Sequence, residues 1–289
     1  MIARPGWYRD PAGAPVMRYW DGRYWTPYTA APAEVEPPLL DREVGALKVA
    51  DPAPWGIRPV LLPLAAYVAA IVFGVVVVQY VNPSTRTGEL ALSGVLNVGL
   101  EGLVVAAAYI AGRDIAARAG GWGRAFGWRR PRWKDLAIGL AGVGIVLAAR
   151  LAIGFISLVV AGRDAVDESQ NLKVEHADVG VVVLLVVIAG VAAPVIEEFV
   201  FRGLLLRTFM RRASFWPAAV LSSLIFAIGH TYEVETFRGA VILALNVAVF
   251  GVVNCGLVRY TGRLAPGIVT HAVFNLSAIA LLAGGVLPD

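Results

Sequence analysis

The sequence predicts an all-α polytopic membrane protein with seven or eight transmembrane helices and a small β-rich N-terminal module. Three observations carry that reading. Hydrophobic residues make up 58% of the 289 residues and charged residues only 16%, whereas soluble domains carry about a quarter charged. Several apolar runs reach the ~20 residues that a helix needs to cross about 30 Å of hydrocarbon. The first 29 residues are instead polar and aromatic, with Trp7, Trp20 and Trp25 interleaved with Tyr8, Tyr19 and Tyr24. A membrane β-barrel would show weak ten-residue alternation in place of continuous apolar runs.

Taken in order, residues 1–29 form the aromatic module. Asp21-Gly22 between aromatic runs is a hairpin signal, and so many rings can build a miniature core. Residues 30–58, rich in Pro, Ala and Glu, read as a linker. Accessory transmembrane helices occupy 59–178, with apolar segments at 60–81, 90–112 and 135–161. The core, 179–289, holds segments at 179–193, 195–212, 215–231, 237–260 and 264–286. The first two of these are one helix bent at Pro194 or two separate spans, which is why the count is seven or eight.

The stretch 113–134 reads as a loop carrying Arg113, Arg118, Arg124, Arg129, Arg130, Arg132 and Lys134. The positive-inside rule places it in the cytoplasm. Two spans separate it from the N-terminus, so the aromatic module is expected on the cytoplasmic side of a plasma-membrane protein. The acidic loop 162–178 is then outside, and His176 within it reads as a solvated side chain. The net charge of +4 fits loops facing anionic lipid, and no nucleic-acid motif accompanies it. Cys255 is the single cysteine, which excludes an intrachain disulfide.

Chemistry concentrates in the second half. Glu197 and Glu198 are adjacent inside a membrane-length apolar stretch, where an ionisable group costs several kcal/mol and marks a functional site by default. Glu198 and Arg202, four residues apart, share a helical face and can pair. Glu197, about 100° away around the helix, points elsewhere. Pro194 suits a helix start, with both acids at the positive end of the dipole. Phe226-x-x-x-His230 closes the next segment, and the short turn at 213–214 predicts antiparallel helices that bring His230 opposite Glu197. His271-x-x-x-Asn275 puts an imidazole and a carboxamide on one face, able to orient water, bind a metal or hold an oxyanion.

Glu197-Glu198-x-x-x-Arg202, Phe226-x-x-x-His230 and His271-x-x-x-Asn275, in that order, resemble the CAAX-prenyl-protease and bacteriocin-processing family of intramembrane endopeptidases over residues 180–280. Phe250-Gly251 and Thr261-Gly262-Arg263-Leu264-Ala265-Pro266-Gly267-Ile268 fit the same pattern, and Cys255 departs from it where a small residue such as Gly is expected. The resemblance implies peptide hydrolysis at the membrane. Glu197 would activate water with His230, and His271 and Asn275 would position water and stabilise the oxyanion. Glu198 and Arg202 would support. No cofactor is expected, although Glu197, His230 and His271 would also make an open zinc set; His-Glu-x-x-His is absent. The expected partners are the bilayer and a membrane-associated protein or peptide substrate. The first 25 or so residues resemble a short tryptophan-rich domain of unknown function at the N-termini of actinobacterial membrane proteins, which implies no activity.

Plainer readings stand beside these. Glu198–Arg202 can be an ion pair that fixes helix packing, and Phe201, Phe226 and Phe250 are ordinary packing residues. Glu101 and Arg150 can pair across two accessory helices, or Arg150 can reach the membrane interface, and neither carries a functional assignment. A non-catalytic scaffold that binds peptides uses the same cavity. A proton-coupled transporter predicts an internal repeat, and the Glu-Glu pattern has no counterpart in the first half. Helix counting at about 1.5 Å per residue also leaves roughly 15–20 Å between Glu197 and His271 if 237–260 is a plain crossing. Closing that gap requires residues 231–240 to dip into the membrane or His230 to lie deeper.

Overall fold

The computed structural model describes residues 6–30, 57–80, 86–169, 179–231 and 234–284. The chain divides into two compact units, Met1–Lys48 and Val49–Asp289. His176 and most of the linker fall outside the described residues.

The N-terminal unit is a three-stranded antiparallel sheet in the order β1 (Gly6–Arg9), β2 (Met17–Trp20), β3 (Trp25–Ala30). The register pairs Trp7 with Tyr19 and Trp20 with Trp25, so aromatic rings meet across strands. Trp7 and Tyr19 lie edge to face at 5.4 Å, and Trp25 contacts both Trp20 (5.2 Å) and Tyr8 (6.0 Å). The Asp21-Gly22 signal falls in the β2–β3 connection, which runs over residues 21–24. Asp21 accepts the backbone N–H groups of Arg23 and Tyr24, each at 2.6 Å, and Gly22 takes the positive φ (99°) that the turn demands. Arg18 clamps the buried Asp10 carboxylate through Nε (3.0 Å) and Nη2 (3.2 Å).

The second unit is helical. Its elements are α1 (Arg58–Tyr80), α2 (Arg86–Ala119), the short α3 (Trp122–Phe126), α4 (Trp133–Ala161), the short α5 (Arg163–Glu168), α6 (Val179–Phe209), α7 (Phe215–Ile228), α8 (Phe237–Thr261) and α9 (Ala265–Gly284). Among the described residues α4, α6 and α8 are long and apolar enough to cross a membrane by length and composition, and α1, α7 and α9 contain shorter apolar stretches.

Two expectations are corrected, Pro194 as a helix start and 113–134 as a loop, and two open alternatives are narrowed. The segments at 179–193 and 195–212 are one continuous helix, α6, and Pro194 lies inside it rather than at a start. The acids therefore do not face a free helix N-terminus. Val186–Ala192 and Glu198–Leu205 adopt the wider i→i+5 winding, a feature common at functional sites and one that absorbs the proline without breaking the rod. The stretch at 113–134 is largely helical, because α2 continues to Ala119 and α3 follows. Arg150 lies over the Phe274 ring at 5.2 Å; no ion pair joins it to Glu101 among the described residues.

The helices close on an aromatic core. Phe126, Phe201 and Phe226 are fully buried, and Phe199 gathers Trp122, Phe126 and Trp128 around it within 5.8 Å. Small residues let α4 approach α9. A Cβ at Gly139 would lie 2.6 Å from Val269, and one at Gly142 would lie 2.5 Å from Thr270 Oγ1, so the backbones meet more closely than any larger residue permits. Thr270 uses this proximity to donate to Gly139 O at 2.9 Å. Gly262, at positive φ (67°), ends α8. Arg263 then turns back to a bidentate pair with Asp135 at the start of α4 (2.9 Å from both Nε and Nη2) and also donates to Arg130 O.

Candidate active site

Four helices and one turn bring the site together. Glu197 and Glu198 come from α6, His230 from the turn after α7, Asn254 from α8, His271 from α9, and Tyr67 from α1.

The two acids divide as the 100° step between neighbours predicts. Glu198 is fully buried in a polar cluster of its own. Its Oε1 lies 3.2 Å from Arg202 Nη1, accepts from Asn254 Nδ2 at 2.8 Å, and faces His271 Nδ1 at 3.2 Å. Its Oε2 has no hydrogen-bond partner and packs against the bare backbone of Gly267, where a Cβ would come within 2.9 Å. Asn254 Nδ2 also reaches Gly267 O at 3.3 Å, which ties α8 to the first turn of α9. Arg202 is likewise buried, its guanidinium 4.6 Å above the Phe226 ring, so a cation–π contact supplements the charge of Glu198.

Glu197 faces the histidines. Its Oε2 is 3.7 Å from His271 Nε2 and 4.0 Å from His230 Nε2. Its Oε1 accepts the Tyr67 hydroxyl at 3.0 Å. Both imidazoles are oriented from behind. His230 Nδ1 is 2.9 Å from Phe226 O, and a carbonyl oxygen only accepts, so that nitrogen carries hydrogen. His271 Nδ1 faces the Glu198 carboxylate and by the same logic donates to it. Nε2 is thus the atom that each ring turns toward Glu197 Oε2, an acceptor in the neutral ring and a donor in the protonated one. Phe226 and Phe250 wall the rings, with His230 4.4 Å from Phe226 and His271 4.8 Å from Phe250.

The depth gap between Glu197 and His271 closes because α9 starts recessed. Leu264, just before α9, lies level with Gly203, where a Cβ would meet Leu264 Cδ1 and Phe126 Cβ at 3.6 Å each. Leu264 N–H donates to Gly127 O at 3.1 Å in the α3–α4 connection. From that level α6 runs back to Glu197 and α9 runs forward to His271 over nearly the same number of residues, and the two side chains meet.

Asn275 lies elsewhere than expected. Its Nδ2 donates to Ala189 O at 2.7 Å. In the i→i+5 winding, Ala193 N–H reaches Ile188 O, so the next partner in register for Ala189 O is the N–H of residue 194. Proline has none, and Asn275 supplies the donor that this partly buried carbonyl would otherwise lack. Asn275 therefore holds α9 against α6 one turn from His271.

Tyr67 and Asn254 join the site without having been singled out from the sequence. Asn254 had a usable signal, an amide inside an apolar span one turn after Phe250. Tyr67 had none beyond one hydroxyl in an apolar segment 130 residues upstream of Glu197.

As a metal site the constellation fits poorly. Ligand atoms sharing one tetrahedral zinc at ~2.0–2.1 Å lie about 3.3 Å apart, closer than Glu197 is to either imidazole. Among the described residues no group of three His, Cys, Asp or Glu side chains could hold a metal ion. The gap between Glu197 Oε2 and the two Nε2 atoms instead suits a water molecule that bridges polar groups lying beyond direct hydrogen-bond reach of one another.

Residues 179–277 match the family model described as type II CAAX prenyl endopeptidase Rce1-like, and residues 5–38 match a family described as a protein of unknown function, DUF2510. The first match takes in Glu197, Glu198, Arg202, His230, Asn254, His271 and Asn275 and leaves out Tyr67. No curated protein and no solved structure matches the chain.

Proposed function

We propose that the chain is an intramembrane endopeptidase of the CAAX-protease type, starting from the match of residues 179–277 to that endopeptidase family. The observation that carries the mechanism is the convergence of Glu197 Oε2 with the Nε2 atoms of His271 and His230 at 3.7 and 4.0 Å. Glu197 acts as general base. A water held between the three atoms attacks the scissile carbonyl carbon and gives one proton to Glu197. The C–N bond then breaks, and Glu197 returns that proton to the leaving amide nitrogen, so that one water is consumed for each bond cut. His230 orients the water. His271, in its protonated form, donates to the oxyanion of the tetrahedral intermediate. Glu198 with Arg202 and Asn254 holds His271 in place, and Asn275 fixes the α9 backbone that carries it. The mechanism needs no metal ion.

The substrate is a membrane-associated protein or peptide, since the site lies among helices of membrane-spanning character. The chain is multi-pass in the plasma membrane with its aromatic module in the cytoplasm. The bacterial character of that module argues for targets other than prenylated ones. A non-catalytic scaffold binding peptides at the same cavity is the second reading. It is favoured by the ties that Glu198 makes between helices, to Arg202 on α6, Asn254 on α8 and His271 on α9, which a purely structural cluster would also make. The experiment compares new protein N-termini in membranes of cells holding equal amounts of the wild type and Glu197→Ala. Termini present only with the wild type support proteolysis and identify the substrate; identical sets favour the scaffold.

A further inference from the structure

Tyr67 is the feature of the site that neither the motifs nor the family match accounts for. It stands on α1, outside residues 179–277, and its hydroxyl donates to Glu197 Oε1 at 3.0 Å. The ring is fixed on two sides. It lies edge to face with Phe201 at 5.6 Å, and it covers Gly229, where a Cβ would stand 3.1 Å from Tyr67 Cε1. Gly229 immediately precedes His230, so one side chain touches both the carboxylate and the turn that carries the imidazole.

A glutamate carboxylate turns about a broad, roughly two-fold terminal torsion. Unless one oxygen is held, the two exchange places and the carboxylate plane wanders. The imidazoles cannot hold it, because their Nε2 atoms are 3.7 and 4.0 Å away, beyond hydrogen-bond length. The Tyr67 hydroxyl is within that length and occupies Oε1 alone. Oε2 is thereby the oxygen left facing both rings. We propose that Tyr67 is a positioning residue for the hydrolytic carboxylate: it pins Glu197 so that Oε2 alone meets the water, which makes accessory helix α1 part of the working site. This inference rests on the reading of Glu197 as general base.

The test uses the full chain in lipid vesicles, with Tyr67→Phe as the variant. Phenylalanine keeps the ring on Phe201 and over Gly229 and removes only the hydroxyl; equal thermal melting of the two proteins shows that the fold is kept. Infrared difference spectra identify the Glu197 carboxylate band by its disappearance in Glu197→Gln. In Tyr67→Phe that band is expected to shift. Single-turnover cleavage of a substrate from the N-terminus comparison is expected to slow about 10- to 100-fold, as loss of a hydrogen bond to a charged group implies, with KM changed by less than about twofold because the hydroxyl does not touch substrate. An unmoved band overturns the proposal, and so does a shifted band with unchanged cleavage. If the wild type cuts nothing, the endopeptidase reading fails by itself, and the infrared shift alone decides whether Tyr67 positions Glu197.

Discussion

His271 bridges the two acids, with Nδ1 3.2 Å from Glu198 Oε1 and Nε2 3.7 Å from Glu197 Oε2. It is buried, whereas the His230 side chain keeps 22% of its surface exposed. The two histidines should therefore separate on mutation. His271→Ala leaves a buried carboxylate short of a partner and is expected to cost about 1–3 kcal/mol of stability as well as activity. His230→Ala is expected to lower cleavage by about 100-fold or more with less than about 1 kcal/mol lost. Thermal melts beside cleavage rates of the two variants check this, and equal stability losses would contradict it.

Asn275 and Pro194 form a coupled pair through Ala189 O. Asn275→Ala removes the donor to that carbonyl and should destabilise the protein by about 0.5–1.5 kcal/mol. Pro194→Ala restores an N–H in register with the same oxygen. The double variant is expected to recover most of the loss, so a double-mutant cycle should show strong non-additivity. Additive effects would mean that Asn275 does something other than replace the missing proline donor.

Arg202 neutralises Glu198 where no water reaches either group. Arg202→Met leaves the carboxylate buried and unpaired, and the expected cost is about 3–5 kcal/mol, visible as lost expression or a large drop in melting temperature. Glu198→Gln keeps the shape and should be milder in the same assay.

In the N-terminal unit, the Arg18 hydrogen bonds, joined by the Ala12 N–H, hold Asp10 below the ordinary carboxylate range. Asp21 is lowered in the same direction by the Tyr24 and Arg23 backbone N–H groups. With folded values depressed, the unfolded segment binds more protons as the medium becomes acidic. Their contribution is complete above about pH 4, the unfolded value, and is lost as pH falls through the folded values. Acid titration of the full chain, followed through proteolytic nicking near the sheet, should show the module loosening below that point. In Asp10→Asn the module should be weaker at neutral pH and less sensitive to acid.

Much of this arrangement was legible in the chain because it is local. The Glu198–Arg202 pair needs only a spacing of four. Glu197 opposite His230 follows from two helices joined by a short turn. What was hidden depends on long-range packing or on an irregular winding. Pro194 looked like a helix start because an α-helix does not easily hold it, whereas the wider winding of Val186–Ala192 and a borrowed amide from Asn275 do. The apparent gap to His271 came from assuming that α9 begins at the outer edge of the bundle. Gly203, Gly127 and Leu264 show it recessed, and no spacing within 237–271 encodes that. Tyr67 and the Asp135–Arg263 pair, the latter 128 residues apart, are products of the fold alone.

The central claim is that Glu197 Oε2 and the Nε2 atoms of His230 and His271 hold the water that attacks the substrate. The most direct measurement is an experimental structure of the wild type in lipid, at a resolution that shows ordered solvent, with anomalous scattering recorded to distinguish a metal. The account predicts one water within hydrogen-bond distance of all three atoms, absent or displaced in Glu197→Ala. A metal ion at that point, or imidazoles closed directly onto Glu197 with no room for water, would contradict it.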